Sequence, residues 1–343
     1  MPLLLPPILA NAAKPSPSLL ILESSLTATC LPLLRCIVGR KQPEGTILLV
    51  CGLYPPSAFV GEVGEGVRVL DRTGRVPGYD EEYRDPREEI VEFVEGAPAG
   101  PLEIIIDSVD TLCADLASVS QTYTFLASLL ALLKTRPPPS RLTLHLLSPS
   151  PSLLPHLTPT RLSPSLTHLT AHPPVLLTHL ATAYLTPPPP LSPPAKFFRV
   201  FTPLAARHQE LERAVLGSEG AGWAEHGEAV VEVLVRGGAR RGVERALEGW
   251  TPAGPCALRE MESLKGVFAG KAVSPQEDTS DPTHGVSFNL GLTPEQHQSR
   301  ARVPLPYAHE GNPPPLTAPG AIYYDPDSAD DIDDDDPDED LDI

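Results

Sequence analysis

The sequence predicts an α/β protein, a mostly parallel sheet with helices on both faces that ends in an antiparallel hairpin. Three observations carry this. The stretch from Leu102 to Asp107 reads Leu-Glu-Ile-Ile-Ile-Asp, a β-branched apolar run of the kind that forms a strand buried on both faces. Similar runs alternate with segments of helical period through the first two thirds of the chain, the order that gives a parallel sheet. After Ala229 the pattern changes to two strand-like runs joined by Arg236-Gly-Gly-Ala-Arg-Arg241, a Gly-containing hairpin connection.

Taken in order, Ser18–Ser25 is the first strand and Leu31–Val38 the helix after it. Thr46–Gly52 and Gly66–Asp71 are the next strands. Pro86–Gly96 is an amphipathic helix, with Ile90, Phe93 and Val94 on one side and Asp85 placed as its N-cap. The Leu102–Asp107 strand follows. Thr122–Thr135 is the strongest helix, stopped by Pro137-Pro138-Pro139, and Arg141–Leu147 returns as a strand. Between Ser148 and Pro194 the chain is crowded with Pro, Ser, Thr and His. Leu166–Ala171 and Val175–Tyr184 are its candidate strand and helix. Lys196–Phe201 reads as a strand, from its aromatic and β-branched content, and Ala205–Leu216 as a helix. Ala229–Val235 and Gly242–Glu248 form the hairpin, and Cys256–Glu262 is a candidate third antiparallel strand.

The organisation expected is a flexible N-terminus over residues 1–14, one α/β domain over 15–270, a linker with a short motif over 271–324, and a disordered acidic tail over 325–343. The tail holds 12 acidic residues and no Lys or Arg, and so many like charges with few apolar anchors cannot fold alone. Of the net charge of -18, the rest of the chain therefore carries only -6. A nucleic-acid surface stays open to it, because the local distribution of Lys and Arg decides that. The 43 prolines place much of the chain outside regular elements. The segment Met1–Ala13 is apolar but lacks a basic leading region and is broken by Pro2, Pro6 and Pro7, unlike a signal peptide. No apolar run reaches membrane-spanning length. The five cysteines form no Cys-x-x-Cys pair and read as reduced thiols.

Chemistry is sought first at Asp107. An Asp at the tip of such a strand holds Mg²⁺ in phosphate-loop ATPases. Those enzymes also need a Gly-rich, Lys-bearing loop after the first strand. Here that connection is Glu23-Ser-Ser-Leu-Thr-Ala-Thr-Cys30, with neither Gly nor Lys. Asp107 and Asp110 are thus read as caps of the following loop rather than metal ligands. The ten histidines are scattered, with no His-x-x-x-His pair that carries a Glu base, and no Gly-x-Ser-x-Gly elbow appears. No catalytic, metal or cofactor-binding residue is expected. At the hairpin tip Arg236, Arg240 and Arg241, with Arg245 on the next strand, could meet phosphates by charge attraction and counterion release, or form a solvated turn.

Several motifs resemble the Elongator subunit 5 family. They are Gly285-Val-Ser-Phe-Asn-Leu-Gly-Leu-Thr-Pro-Glu-Gln296, Val303-Pro-Leu-Pro-Tyr307, Ile322-Tyr-Tyr-Asp-Pro-Asp327, the acidic end Asp338–Ile343 and the hairpin from Val230 to Trp250. The resemblance implies a RecA-like fold without Walker motifs, and a non-catalytic subunit that assembles with Elongator subunits four and six into a heterohexameric ring. That ring is implied to bind tRNA, to join the catalytic Elongator subcomplex and to support wobble-uridine (U34) modification, in the cytoplasm and also the nucleus. Phe288, Leu290, Leu292 and Tyr307 become a candidate partner-binding motif, and Arg236, Arg240 and Arg241 a candidate tRNA contact. The rival readings are an active RecA-like ATPase and an acidic-tailed adaptor for basic partners.

Overall fold

Alternation along each strand decides which side of the sheet its residues serve. In Leu19–Ser24 (β1), Leu19 and Ile21 pack on one face while Leu20 and Leu22 pack on the other, as the two-residue period of a strand requires. Thr46–Cys51 (β2) and Leu102–Ile106 (β4) divide the same way, Leu48, Val50, Ile104 and Ile106 against Ile47, Leu49 and Ile105. Both faces are therefore apolar, and each needs a cover of helices. The computed structural model describes residues 2–13, 17–25, 27–40, 45–59, 66–80, 83–147, 153–207, 227–237 and 242–269.

The remaining strands are Val67–Asp71 (β3), Arg141–Leu147 (β5), Leu166–His172 (β6), Ala229–Arg236 (β7), Val243–Thr251 (β8) and Gly254–Cys256 (β9). They join in one nine-stranded sheet of order β3-β2-β4-β5-β1-β6-β7-β8-β9. All pairs from β3 to β6 are parallel and the last three are antiparallel. This is the mostly parallel sheet with an antiparallel end that was expected, with β4 well inside the parallel part.

One face is covered by Leu5–Leu9 (α1) and Leu31–Gly39 (α2), whose Leu33, Leu34, Ile37 and Val38 are buried. The other is covered by Pro86–Glu95 (α3), Val109–Leu116 (α4) and Val119–Lys134 (α5). Asp85 caps α3 as expected, accepting from the Arg87 N–H. The long helix α5 starts three residues before the expected Thr122, because the Ser118 side chain accepts from the Gln121 N–H and caps it. A short helix, Leu154–Leu157 (α6), precedes β6, and Pro174–Ala183 (α7) follows it.

Three expectations need correction. Lys196–Phe201 is not a strand but part of the helix Pro194–Ala205 (α8). Phe197, Phe201 and Leu204 recur at helical spacing and are the buried residues of one stripe, so the period outweighs the aromatic propensity. The same helix already ends at Ala205, where a new one was expected, and residues 208–216 lie outside the described residues. Cys256–Glu262 is a strand only to Cys256. It continues into two 3-10 turns, Leu258–Glu260 and Glu262–Leu264, which bury Leu258, Met261 and Leu264 at every third position, the period of that helix. The third concerns the N-terminus expected to be flexible. Leu5, Ile8 and Leu9 of α1 are instead buried in the core beside α2.

A separate apolar cluster forms under α7 and α8 around Phe197, Phe201, Val230 and Met261. The 271–324 motif and the acidic tail lie outside the described residues.

Candidate functional site

In open α/β sheets, ligands gather at the carboxyl ends of the strands, so the ends of β1, β2, β4 and β5 define the place to inspect. Asp107 follows directly on β4, and its side chain is fully buried. One carboxylate oxygen accepts from the Gly52 N–H at 2.6 Å and the other from the Tyr54 N–H at 2.7 Å, with Leu53 N–H between them. The carboxylate thus holds the turn that leaves β2. Burial pushes its pKa up, and the N–H groups of Tyr54, Gly52 and Leu53 only partly oppose that. Asp110, on the first turn of α4, accepts from the Leu147 N–H at the end of β5 at 2.7 Å. Both acids cap loops, as the residue pattern suggested.

A second chain of hydrogen bonds runs between β1 and β4 through β5. His145 is buried in β5, with Nδ1 against the Asp107 carbonyl and Nε2 at 2.6 Å from the Ser24 hydroxyl. A carbonyl can only accept, so Nδ1 carries the proton and Nε2 receives the Ser24 hydroxyl. Burial lowers the His145 pKa and keeps the ring neutral. Ser24 in turn accepts from the Cys30 N–H at 2.7 Å, ahead of α2. Tyr54 stacks on the His145 ring, with centroids 6.2 Å apart, and meets Phe59 edge-on.

A Ser–His pair at this distance is the geometry of an activated nucleophile. Here, however, Ser24 is 2% and His145 0% exposed, and the pair ties three strand ends together. The cavity at Asp107, lined also by Gly52, Arg72, Ser108, Thr111 and Asp115, is only about 20 Å³ and is lined by neither Ser24 nor His145. That suits a single water. Among the described residues no three His, Cys, Asp or Glu side chains are grouped to hold a metal ion. Residue patterns missed Ser24 and His145. A His alternating with leucines inside a central strand, Leu142-Thr-Leu-His-Leu146, is the signal that could have found the ring, since a buried polar group needs a partner.

The candidate tRNA-contacting arginines are only partly in view. The Arg236 guanidinium donates to the carbonyls of Thr158 and Ser163, at 2.5 and 2.8 Å, and burial lowers its pKa. It therefore fastens β7 to the loop before β6. Arg240 and Arg241 lie outside the described residues, as do Phe288, Leu290, Leu292 and Tyr307. Arg245 lies over the Phe198 ring at 4.2 Å and donates to Glu232 at 2.6 Å. Glu232 also meets His172, and one strand pair away His168 meets Glu23. These groups form a polar ladder on the sheet beside α8.

A family model described as Elongator subunit Iki1 matches residues 4–325. The chain belongs to that family. It is similar to Elongator complex protein 5 of Mus musculus, 39% identical over 70 residues that make up 18% of this chain and 23% of the mouse protein. To the Homo sapiens protein of the same name it is 29% identical over 124 residues, 34% of this chain and 41% of the human one. The matched stretches thus span less than half the length of these relatives. Among solved structures, a KaiC-like protein from Pyrococcus horikoshii superposes with a TM-score of 0.39 at 10% identity, covering 70% of this chain and 88% of its own.

Proposed function

We propose that this chain is a non-catalytic structural subunit of the Elongator complex. It assembles with subunits four and six into a RecA-like heterohexameric ring, and that ring binds tRNA and supports wobble-uridine modification by the catalytic subcomplex. The family match across residues 4–325 carries the reading. The strand ends support it. The connection from β1 to α2 lacks the Gly and Lys of a phosphate cradle, and both Asp107 oxygens are occupied by backbone N–H groups. The fold is kept while the positions that would serve a nucleotide hold loops in place. The chain works in the cytoplasm and the nucleus, where such an assembly meets tRNA.

Native mass spectrometry of the complex isolated through this chain tests the assembly. A hexamer with two other RecA-like subunits in equal copy is expected; a chain recovered alone, or with unrelated basic proteins only, refutes it. The isolated chain should show no saturable ATP binding, and binding abolished by Asp107→Ala would restore the ATPase reading. For the tRNA contact, Arg240→Glu with Arg241→Glu is the cleaner test, because Arg236 also fastens β7. Weaker tRNA binding by the reconstituted ring is expected, with a shallower salt dependence. Unchanged affinity removes the hairpin tip from the interface.

A further inference from the structure

Helix α1 has only five residues, too short to hold itself together, and both of its ends are gripped by side chains from remote strands. At the N-terminal end, Glu248 of β8 accepts from the Leu4 and Leu5 N–H groups at 2.5 and 2.9 Å. At the C-terminal end, Arg141 of β5 donates to the Ile8 carbonyl and Arg40, after α2, to the Leu9 carbonyl, each at 2.6 Å. The signs suit the helix dipole, a carboxylate at the N–H end and guanidiniums at the carbonyl end. Glu103 of β4 braces the two arginines from below: it accepts from Arg141 at 2.7 Å, from Thr143 at 2.8 Å and from Arg40. Asn11 extends the grip by donating to the Pro139 carbonyl at 2.9 Å.

The two grips belong to different parts of the sheet. Arg141 and Glu103 stand on parallel strands, whereas Glu248 stands on the antiparallel hairpin. Between them Leu5, Ile8 and Leu9 share a cluster with Leu34 and Ile37 of α2 and with Val231 and Val233 of β7. The segment thus ties the parallel half to a hairpin residue more than 240 positions further along the chain than itself.

We propose that residues 4–13 are a clasp that opens as a unit and, beside the direct ladder between β6 and β7, sets how firmly the β7–β8 hairpin is braced against the parallel half of the sheet. One short helix, its side-chain grips and three buried apolar side chains hold it, with no strand ladder of its own, so its opening requires less than unfolding of the strands beneath. When it opens, the apolar seat formed by α2 and β7 is uncovered.

Hydrogen exchange read by mass spectrometry on the full chain tests this. Amides of Ile8 and Ala10–Ala13, which bond within the clasp, should exchange together and faster than those of β1 and β5. Glu248→Gln keeps the size and one acceptor, and should speed clasp exchange on the order of tenfold, the loss of about one charge-assisted bond. Amides of β7 and β8 should quicken with it while β1, β4 and β5 stay protected. Ile8→Ser leaves every charged group in place and should give the same pattern by weakening the apolar seat. Clasp amides that exchange only at the rate of β5 overturn the proposal, and so does clasp opening that leaves the hairpin amides unchanged.

Discussion

Replacing Asp107 separates a loop-holding carboxylate from a catalytic one. In Asp107→Ala the N–H groups of Gly52, Leu53 and Tyr54 lose their acceptor at once. Hydrogen bonds to a charged group contribute about 1.5–3 kcal/mol each, so three of them would come to at least about 4.5 kcal/mol if nothing offset them. The offset is the burial of the carboxylate itself, large enough to raise its pKa despite the three donors. A net loss of about 3 kcal/mol is expected, which lowers Tm by about 6–12 °C for a domain of this size. Asp107→Asn keeps one carbonyl oxygen and should lose about half as much. The pH dependence adds a second reading. A raised carboxyl pKa means that the protonation-linked part of the Asp107 contribution is fully present below the unfolded pKa and is lost as pH rises through the folded one, while the hydrogen bonds to the ionised carboxylate remain. The Asn variant should therefore narrow its deficit as pH rises through that window. Thermal and urea unfolding across pH measure both. An Ala variant within about 1 kcal/mol of the parent would refute the idea that the carboxylate holds the β2 turn.

Other outcomes follow from the same structure. Glu103→Gln strips the buried Arg141 guanidinium of its carboxylate and should cost about 3–5 kcal/mol in urea unfolding; a neutral result would mean that water reaches the arginine. For Glu232, burial raises the pKa but is outweighed by the hydrogen bonds and charges of His172 and Arg245, so the net shift is downward. Its contribution is present above the unfolded carboxyl pKa and lost as pH falls through the folded one. Glu232→Gln should thus be least stable relative to the parent near neutrality, and converge with it in acid. Gly249→Ala would set a Cβ 2.7 Å from the Cys256 sulfur and 2.8 Å from Met261, an overpacking that should cost about 1–3 kcal/mol by calorimetry; a stabilised variant would show that β9 gives way easily.

Much of the architecture was legible because apolar period and breakers act locally. The parallel strands up to Arg141–Leu147 are bounded by Gly, Pro and capping residues within a few positions of where they end. Asp85 capped its helix for the same reason. The misreading at Lys196–Phe201 came from composition, since three aromatics suit a strand, and only the cluster beneath α8 shows that Phe197, Phe201 and Leu204 share one side. At the site, the missing phosphate cradle was visible in Glu23–Cys30. The Ser24–His145 link was not, because its members lie 121 residues apart and meet only when β5 pairs with β1.

By itself the sequence determined the local alternation of strands and helices, the absence of Gly and Lys after β1, and the motifs that tie the chain to its family. Each depends on neighbours in the chain. The tertiary structure alone decided what the isolated polar residues do. Glu103, Arg141 and Glu248 carry no signature in their immediate surroundings, and a buried polar group is defined by partners that strand order brings to it. That order gave Asp107 its partners, the N–H groups of the turn that leaves β2, and made the apolar N-terminal segment one that is held at both ends.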